Sequence, residues 1–313
     1  MREIARSNDP VFLSYLQAEL AADGIAVLVL DAFASSVLEP MNMTALQRVM
    51  VAEDDYWAAW AVVEEAEDRI SEDYILDGRA TLLQPKSGFR AAIDPVLLAA
   101  CVPAQSADQV LDCGTGTGAA VLALAARLED VSITGIDVQP GLVALAARAA
   151  ERNGVAERVR FAAVDIADPP PSFARQMFDH VMSNPPFLDA GGGQVPADPA
   201  RALATVESTA NLKTWIGFMA GRLRGGGTLS VIHRHDRVDE IIAALGTGFG
   251  AAACLDLVPV DDGRPIKRAI VQAVKGAAPG DIRRSRLVLH NPDGGFTDAA
   301  EAVLRDAKAL PIS

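Results

Sequence analysis

The four residues Asn184-Pro185-Pro186-Phe187 could bind and orient an amino group. They directly follow a strand predicted at 179–183. Two consecutive prolines fix the backbone and have no N–H donors, so nearby carbonyl groups stay free to accept hydrogen bonds. The Asn184 side-chain oxygen and the Pro185 carbonyl could each accept one N–H of a planar amino group. The amino nitrogen would then hold its lone pair toward an electrophilic methyl carbon, while Phe187 stacks on the attached ring. The motif therefore predicts a preformed acceptor site for a weakly nucleophilic amine.

This chemistry does not require a histidine as a strong base, because the nitrogen loses its proton readily once it is methylated. We expect His180 to be an ordinary strand residue, and His233 and His235 to be surface or strand-end residues. None of the three is assigned a role.

A second motif, DCGTGTG at residues 112–118, follows an apolar strand predicted at 110–113 and opens a helix. Its glycines allow a tight turn and a close approach of backbone N–H groups to a ligand at a helix N-terminus. With Ala119 the spacing also satisfies G-x-G-x-x-A, so a dinucleotide site remains an alternative on this motif alone. The three glycines are Gly114, Gly116 and Gly118.

Acidic residues stand at the ends of three successive predicted strands: Asp112, Asp137 and Asp165. Asp112 would face the ammonium or sulfonium end of a zwitterionic ligand, whereas it would repel a pyrophosphate. Asp137 is placed to accept two ribose hydroxyls, and Asp165 could meet an adenine amino group. A helix cap is an ordinary role for each acid, and for Asp165 alone it is as good an explanation. Three such acids in succession favour a cofactor site.

Strands and helices alternate from residue 109 onward, which is typical of a parallel sheet covered by helices on both faces. The predicted strands are 110–113, 132–137, 159–164, 179–183, 228–233, 251–260 and 266–274. The predicted helices are 118–128, 140–152, 202–223, 238–245 and 298–309. The last two strands are adjacent, so we expect an antiparallel hairpin that closes a seven-stranded Rossmann-like α/β sheet.

Residues 1–70 differ in character from residues 71–313, and we predict a domain boundary between them. The first segment indicates a small α/β domain with strands at 2–6, 25–30 and 47–51 and two helices. The continuous apolar run at 25–30 predicts a strand covered on both faces. This segment contains no histidine, cysteine or glycine-rich loop, so a structural or regulatory role is expected.

The composition describes a globular chain of 313 residues with a formal net charge of -13. Residues 1–70 hold 4 basic and 13 acidic side chains, whereas residues 213–313 hold 14 and 11. Binding of nucleic acid by bulk attraction is therefore excluded, while a local basic surface remains possible. Three cysteines that are far apart argue against a disulfide framework and a zinc site. Because the chain has no apolar run of membrane-spanning length, we expect a cytoplasmic protein. The scattered cysteines lead us to expect no metal.

The acid and glycine spacing resembles the first motif of the class I S-adenosylmethionine (SAM) methyltransferases, which implies SAM as the cofactor. Asn184 to Phe187 resembles the motif of enzymes in that class that methylate amino groups of adenine, guanine or glutamine amides. The segment 1–70 resembles a small bacterial module, of α/β-plait type, named as signal-transducing.

More of the chain resembles the bacterial family that methylates the 6-amino group of the adenine beside the anticodon of a valine tRNA. The similarity covers residues 84–90, 93–99, 263–268, 287–290 and 296–300. It implies a tRNA substrate whose target base swings out of the anticodon loop. Phe187 stands where that family often has Tyr, which preserves stacking. The acidic N-terminal segment is an addition to the family pattern.

Basic residues that could contact RNA phosphates lie in two places. Lys86 and Arg90 are on a loop near the active face, and Arg264 and Arg268 are at another edge. A solvated surface role is an ordinary explanation for each one singly.

Two other functions remain open at this point. An enzyme of the same fold that methylates a glutamine amide in a translation release factor would explain Asn184 to Phe187 equally well. Such enzymes usually carry an N-terminal helical bundle, which segment 1–70 does not resemble. A regulatory protein that binds SAM without chemistry is the second alternative, and the intact motif argues against it.

Overall fold

The structure of the chain is a computed structural model that describes residues 1–7, 10–30, 47–68, 70–86, 90–186 and 211–312. Within these ranges no helix is both long enough and apolar enough to cross a bilayer. The three cysteines are buried free thiols.

A central sheet of eight strands organises the C-terminal part of the chain. Its strands are β6 (Gln109–Cys113), β7 (Ser132–Asp137), β8 (Val159–Ala163), β9 (Phe178–Ser183), β10 (Leu223–Arg234), β11 (Phe249–Val260), β12 (Arg268–Lys275) and β13 (Arg283–His290). Their order across the sheet is β13-β11-β12-β10-β9-β6-β7-β8. The strands from β10 to β8 pair in parallel, whereas β12 is antiparallel to both of its neighbours.

The expected antiparallel hairpin at the end of the sheet is confirmed, because β11 and β12 pair directly. The expected total of seven strands is wrong, since β13 pairs in parallel with β11 and adds an eighth. Its first half, Arg-Arg-Ser-Arg, has no apolar run, yet Leu287 and Leu289 are buried. Charged residues are common on edge strands, where only one side of the backbone is paired, and they concealed this strand from the hydrophobic pattern.

Helices cover both faces of the sheet, as predicted. They are α3 (Asp94–Cys101), α4 (Ala119–Arg127), α5 (Pro140–Arg152), α6 (Leu212–Arg222), α7 (Val238–Leu245) and α8 (Asp298–Leu304). The buried apolar residues of α3, α4 and α8 belong to one core, and those of α6 and α7 to the other. Strong burial on both faces explains why the sheet strands are nearly continuous apolar runs.

The N-terminal segment forms a small sheet of β1 (Arg2–Ser7), β2 (Val27–Leu30) and β3 (Gln47–Val51), with helices α1 (Pro10–Ala22) and α2 (Tyr56–Asp68). The order is β1-β3-β2, and both pairings are antiparallel. This order agrees with the first three strands of an α/β plait. The next strand, β4 (Ile70–Ile75), pairs with β5 (Ala80–Pro85) in a separate hairpin.

The expectation that residues 25–30 are covered on both faces is wrong. β2 lies at the edge of the described sheet, and Leu28 and Leu30 are 46% and 39% exposed. Their neighbours Val27 and Val29 are half-buried, so burial alternates along the strand. A continuous apolar run does not distinguish a two-sided interior strand from a strand covered on one face.

The N-terminal segment and the hairpin both contact α5. Helix α1 packs against α5, where the Tyr15 ring lies beside Gly141 in the first turn of α5. Glu72 of β4 forms an ion pair with Arg152 in the last turn of α5. The division of the chain near residue 70 stays a prediction.

The Phe161 ring of β8 fills the space left by two glycines. A Cβ atom added to Gly135 of β7 would lie 2.6 Å from a Phe161 ring carbon and 2.7 Å from Thr115 Oγ1. A Cβ atom added to Gly118, whose φ is +81°, would lie 2.9 Å from the same ring. The absence of side chains therefore allows β7, β8 and the glycine loop to pack closely.

We predict that Gly135→Ala lowers the free energy of unfolding by about 1–3 kcal/mol, because overpacking must displace the Phe161 ring or the loop. Gly217→Ala is the matched control. Gly217 is exposed on α6 with no atom near its Cβ position, so this change should stabilise by up to about 1 kcal/mol. Urea unfolding measures both variants, and equal stability for the two would contradict the packing argument.

Candidate active site

The glycine loop between β6 and α4 is tied to the end of β7. The N–H groups of Gly114 and Thr115 donate to the Ile136 carbonyl at 2.8 and 2.9 Å. Gly114, Gly116 and Gly118 have φ values of +71°, +55° and +81°, a region that glycine adopts at low cost. The sequence prediction of a tight glycine turn is therefore confirmed.

Asp137 accepts a hydrogen bond from a backbone N–H of the glycine loop that could otherwise bind an anionic ligand. Its Oδ2 accepts the Gly116 N–H at 2.9 Å, and its Oδ1 accepts the Gln139 N–H at 2.9 Å. Burial raises the pKa of Asp137, against the backbone hydrogen bonds that lower it. A carboxylate bonded to Gly116 would repel a pyrophosphate, so this geometry argues against the dinucleotide alternative.

Asp112 is buried at the end of β6, with only 2% of its surface exposed. Burial raises the pKa of Asp112 to about 7, and the nearby Asp137 acts in the same direction. No positive group among the described residues lowers the pKa of Asp112, as a cationic partner beside it would. The position therefore suits the binding of a cation.

Asp165 follows β8 and is half-buried. Its Oδ1 accepts the N–H of Ala167 at 2.8 Å, which is the local turn bond that short acidic side chains commonly form. A second carboxylate oxygen can still accept another donor. An adenine contact for Asp165 remains a prediction.

The Asn184-Pro185-Pro186 segment lies directly beside the glycine loop. Ser183 pairs with Cys113 in the parallel register of β9 and β6, so the two motifs leave the sheet at the same level. Pro185 is buried, and Asn184 and Pro186 are half-buried. The side-chain oxygen of Asn184 is buried, and none of the described residues donates a hydrogen bond to it. Phe187 lies outside the described residues.

Trp215 on α6 is a site residue that the sequence analysis missed. Its indole N–H donates to Ser183 Oγ at 2.7 Å, and Ser183 Oγ donates to the Cys113 carbonyl at 2.7 Å. The Trp215 ring also lies against Gly114, where an added Cβ would be 3.0 Å away. Asn211 caps α6 by accepting the Thr214 N–H, and this N-cap signal marks where the helix begins.

His233 is a strand-end residue of β10, as expected, but it is fully buried and therefore not a surface residue. It lies on β10, and its Nε2 is 3.3 Å from the Pro186 carbonyl oxygen. His180 is a buried strand residue as expected, held by Thr228 and Asp108. His235 lies 3.3 Å from a carboxylate oxygen of Asp256.

Three of the four basic residues considered for phosphate contacts are paired with carboxylates. Arg90 donates to Asp73 at 2.6 Å, Arg264 to Asp262 at 2.6 Å and Arg268 to Asp94 at 3.2 Å. Lys86 is exposed. Arg90 and the buried Gln84 both bond Asp73, so this part of the sequence motif builds the β4–β5 hairpin.

Comparison with known proteins agrees with this geometry. Residues 104–232 match a family model described as a methyltransferase domain. Residues 1–67 match a family described as "Putative prokaryotic signal transducing protein". The crystal structure of a protein described as a predicted O-methyltransferase from Agrobacterium tumefaciens is similar, with a TM-score of 0.55 and 26% identity. That match covers 69% of this chain and 97% of the other.

Two curated relatives differ in how much of the chain they match. The tRNA1(Val) (adenine(37)-N6)-methyltransferase of Aeromonas hydrophila is 26% identical over 214 residues, which cover 68% of this chain and 87% of the relative. The release factor glutamine methyltransferase of Salmonella typhimurium is 36% identical over 137 residues, which cover 40% of this chain and 46% of the relative.

The sheet order, the glycine loop and these matches lead to one conclusion. The chain carries a SAM-dependent methyltransferase domain of the class I fold.

Proposed function

We propose that the protein methylates the exocyclic 6-amino group of an adenine in RNA, namely the anticodon-adjacent adenine of a valine tRNA. The proposal rests on the buried side-chain oxygen of Asn184, which lies beside the glycine loop and accepts no hydrogen bond from any described residue. A buried acceptor without a donor costs roughly 1–3 kcal/mol, and an amino group of the substrate would satisfy it. A relative whose match covers 68% of this chain is named for adenine N6 methylation of a tRNA.

The residues of the glycine loop and the strand ends fit SAM. Asp112 would accept the ammonium or sulfonium end of the cofactor, and Asp137 the ribose hydroxyls. Asp165 would accept the adenine amino group, and Gly114, Gly116 and Gly118 would let the cofactor approach the backbone. When bound, SAM supplies an electrophilic methyl group.

The acceptor residues would orient the amine for attack. Asn184 Oδ1 and the Pro185 carbonyl each take one N–H of the amino group, which points the nitrogen lone pair toward the cofactor. Pro186 stiffens the segment, and Phe187 stacks on the adenine ring. Because both acceptors are neutral, they add no negative charge that would stabilise the sulfonium in its ground state. A base of higher strength is not needed, since the methylated nitrogen releases its proton readily.

The RNA would meet the chain through a local basic surface. Lys86 is exposed and could contact a phosphate directly. Arg90, Arg264 and Arg268 would first have to break their ion pairs with aspartates before binding a phosphate. Such an exchange has a moderate net cost at the surface, because exposed ion pairs contribute roughly 0–1 kcal/mol. We infer a cytoplasmic protein, because the proposed substrate is a tRNA.

Methylation of a glutamine amide in a release factor is the second candidate. The matching region has higher identity to a protein of that name, but it covers less than half of either chain. An amide nitrogen would use the same two acceptors, so the motif itself does not distinguish the two substrates.

We expect the purified protein to transfer label from radioactive SAM to total tRNA, and mass-spectrometric mapping to locate the mark as N6-methyladenine beside the anticodon. Release factor is the parallel substrate in the same assay. Label found only in the release factor would reject the RNA proposal. Absence of label in both, with intact SAM binding, would favour a regulatory SAM-binding protein.

We predict that Asn184→Ala and Asn184→Asp each lower turnover roughly 100-fold, the usual cost of removing one preorganised hydrogen-bonding group in an active site. Asp at this position also places a charge beside the sulfonium. SAM affinity, measured by calorimetry, should change little in either variant. Turnover equal to that of the wild type would contradict the role of this amide.

We predict that Asp112→Asn weakens SAM binding at least tenfold but stabilises the ligand-free protein at alkaline pH. Folded Asp112 keeps its proton to a pH of about 7, whereas the unfolded side chain releases it near its ordinary value of about 4. The wild type therefore loses stability as the pH rises from about 4 to about 7, by at most about 4 kcal/mol.

The Asn variant lacks this titration, so its gain in melting temperature over the wild type should grow between about pH 4 and about pH 7 and level off above that range. Thermal unfolding at a series of pH values gives the comparison. A gain that is independent of pH would show that Asp112 is not protonated in the ligand-free fold.

A further inference from the structure

His233 lies where the backbone ladder between β9 and β10 ends. The last residues in register are Val231 and Ser183, so β10 continues alongside Pro185 and Pro186. Neither proline has an N–H to donate, so neither can continue the backbone ladder as a donor. The His233 side chain, which is 0% exposed, reaches the segment instead, with its Nε2 at 3.3 Å from the Pro186 carbonyl oxygen.

The two predicted amine acceptors, Asn184 and Pro185, lie between two residues that are held by hydrogen bonds and are called anchors below. Before them, Ser183 binds the Cys113 carbonyl and receives the Trp215 indole N–H. After them, the Pro186 carbonyl meets His233. Asn184 and Pro185 lie between the anchors, and the fixed φ of each proline limits how far the peptide planes between the anchors can turn.

We propose that His233 is a positioning residue, whose Nε2–H donates to the Pro186 carbonyl and thereby holds the Asn184 and Pro185 oxygens in the orientation that binds the amine. The inference rests on the proposed function, since it assigns a task to the same acceptors. His233 touches neither the amine nor the cofactor in this role.

A neutral imidazole with its proton on Nε2 is the form that this role requires. Burial lowers the pKa of His233 to about 4, and the positive charges of Arg234, Arg237 and Arg268 act in the same direction. The side chain is therefore neutral at physiological pH and carries one ring proton. A charged imidazolium would place a positive group close to the cationic cofactor.

Three substitutions separate hydrogen bonding from packing. Glutamine places an amide N–H near the position of imidazole Nε2, asparagine places it near Nδ1, and leucine has no donor. We expect His233→Asn and His233→Leu to lower kcat about 10-fold to 100-fold, the scale of a small misplacement of reacting groups. His233→Gln should recover most of the loss, and SAM affinity should stay within about twofold of the wild type in all three.

His180→Gln is the control for removing a buried histidine. His180 lies in the middle of β9, three residues before Ser183, and is bonded to Thr228 and Asp108 away from the two acceptors, so the kcat of this variant should equal that of the wild type. A Gln variant of His233 as slow as the Leu variant, with both folded and able to bind SAM, would overturn the proposal. A Leu variant with wild-type kcat would do the same.

Nuclear magnetic resonance tests the geometry without a substrate. In wild-type protein labelled with ¹⁵N at its four histidines, long-range correlations should show His233 as the Nε2–H form near neutral pH, with a proton that exchanges slowly with water. An Nδ1–H form would overturn the inference whatever the substrate is. If the Nε2–H form is found but wild-type protein does not methylate tRNA, only the proposed function fails.

Discussion

The parallel pairing of β6 with β9 is the constraint on which the active site depends. Parallel strands end at the same edge of a sheet, so the glycine loop and the Asn-Pro-Pro segment emerge side by side. The register sets Cys113 opposite Ser183, and the Ser183 side chain then locks the two strand ends together. A slip of one residue would turn every side chain of one strand to the other face and break the contact between Ser183 and Cys113.

The two halves of the site differ in electrostatic character. The cofactor side has buried carboxyl groups whose pKa values are raised by burial, which is unfavourable in the ligand-free fold. The amine side is built from neutral groups, with an amide, a peptide carbonyl and a histidine whose pKa is lowered. In the proposed mechanism, negative charge would lie on the side where a cation binds, and the neutral side would direct the nitrogen. The cost of burying Asp112 would then be offset when the cofactor binds, and a destabilised active site is common in enzymes.

The sequence predicts local structure best where backbone chemistry fixes the conformation. The glycines at 114, 116 and 118 and the strand ends at Asp112 and Asp137 are readable because turn conformation and apolar runs are local properties. Trp215 was missed and the burial of His233 was not foreseen, since each side chain contacts a residue more than 30 positions away in the sequence. The edge strand β13 was hidden by its arginines. The pairing of Arg90, Arg264 and Arg268 with carboxylates likewise depends on tertiary structure, which counts of charge do not contain.

The contact of Tyr15 with the first turn of α5 places the acidic N-terminal segment on one flank of the site. That turn follows directly after Asp137, at the strand edge where both motifs emerge. The segment holds 13 acidic and only 4 basic side chains, so its field repels any large polyanion arriving from the β7 side. The mildly basic last hundred residues build β11 to β13 at the far end of the same sheet. Charge is therefore distributed unevenly across the sheet, with the acidic segment on the β7 side and the mildly basic residues at the β13 end.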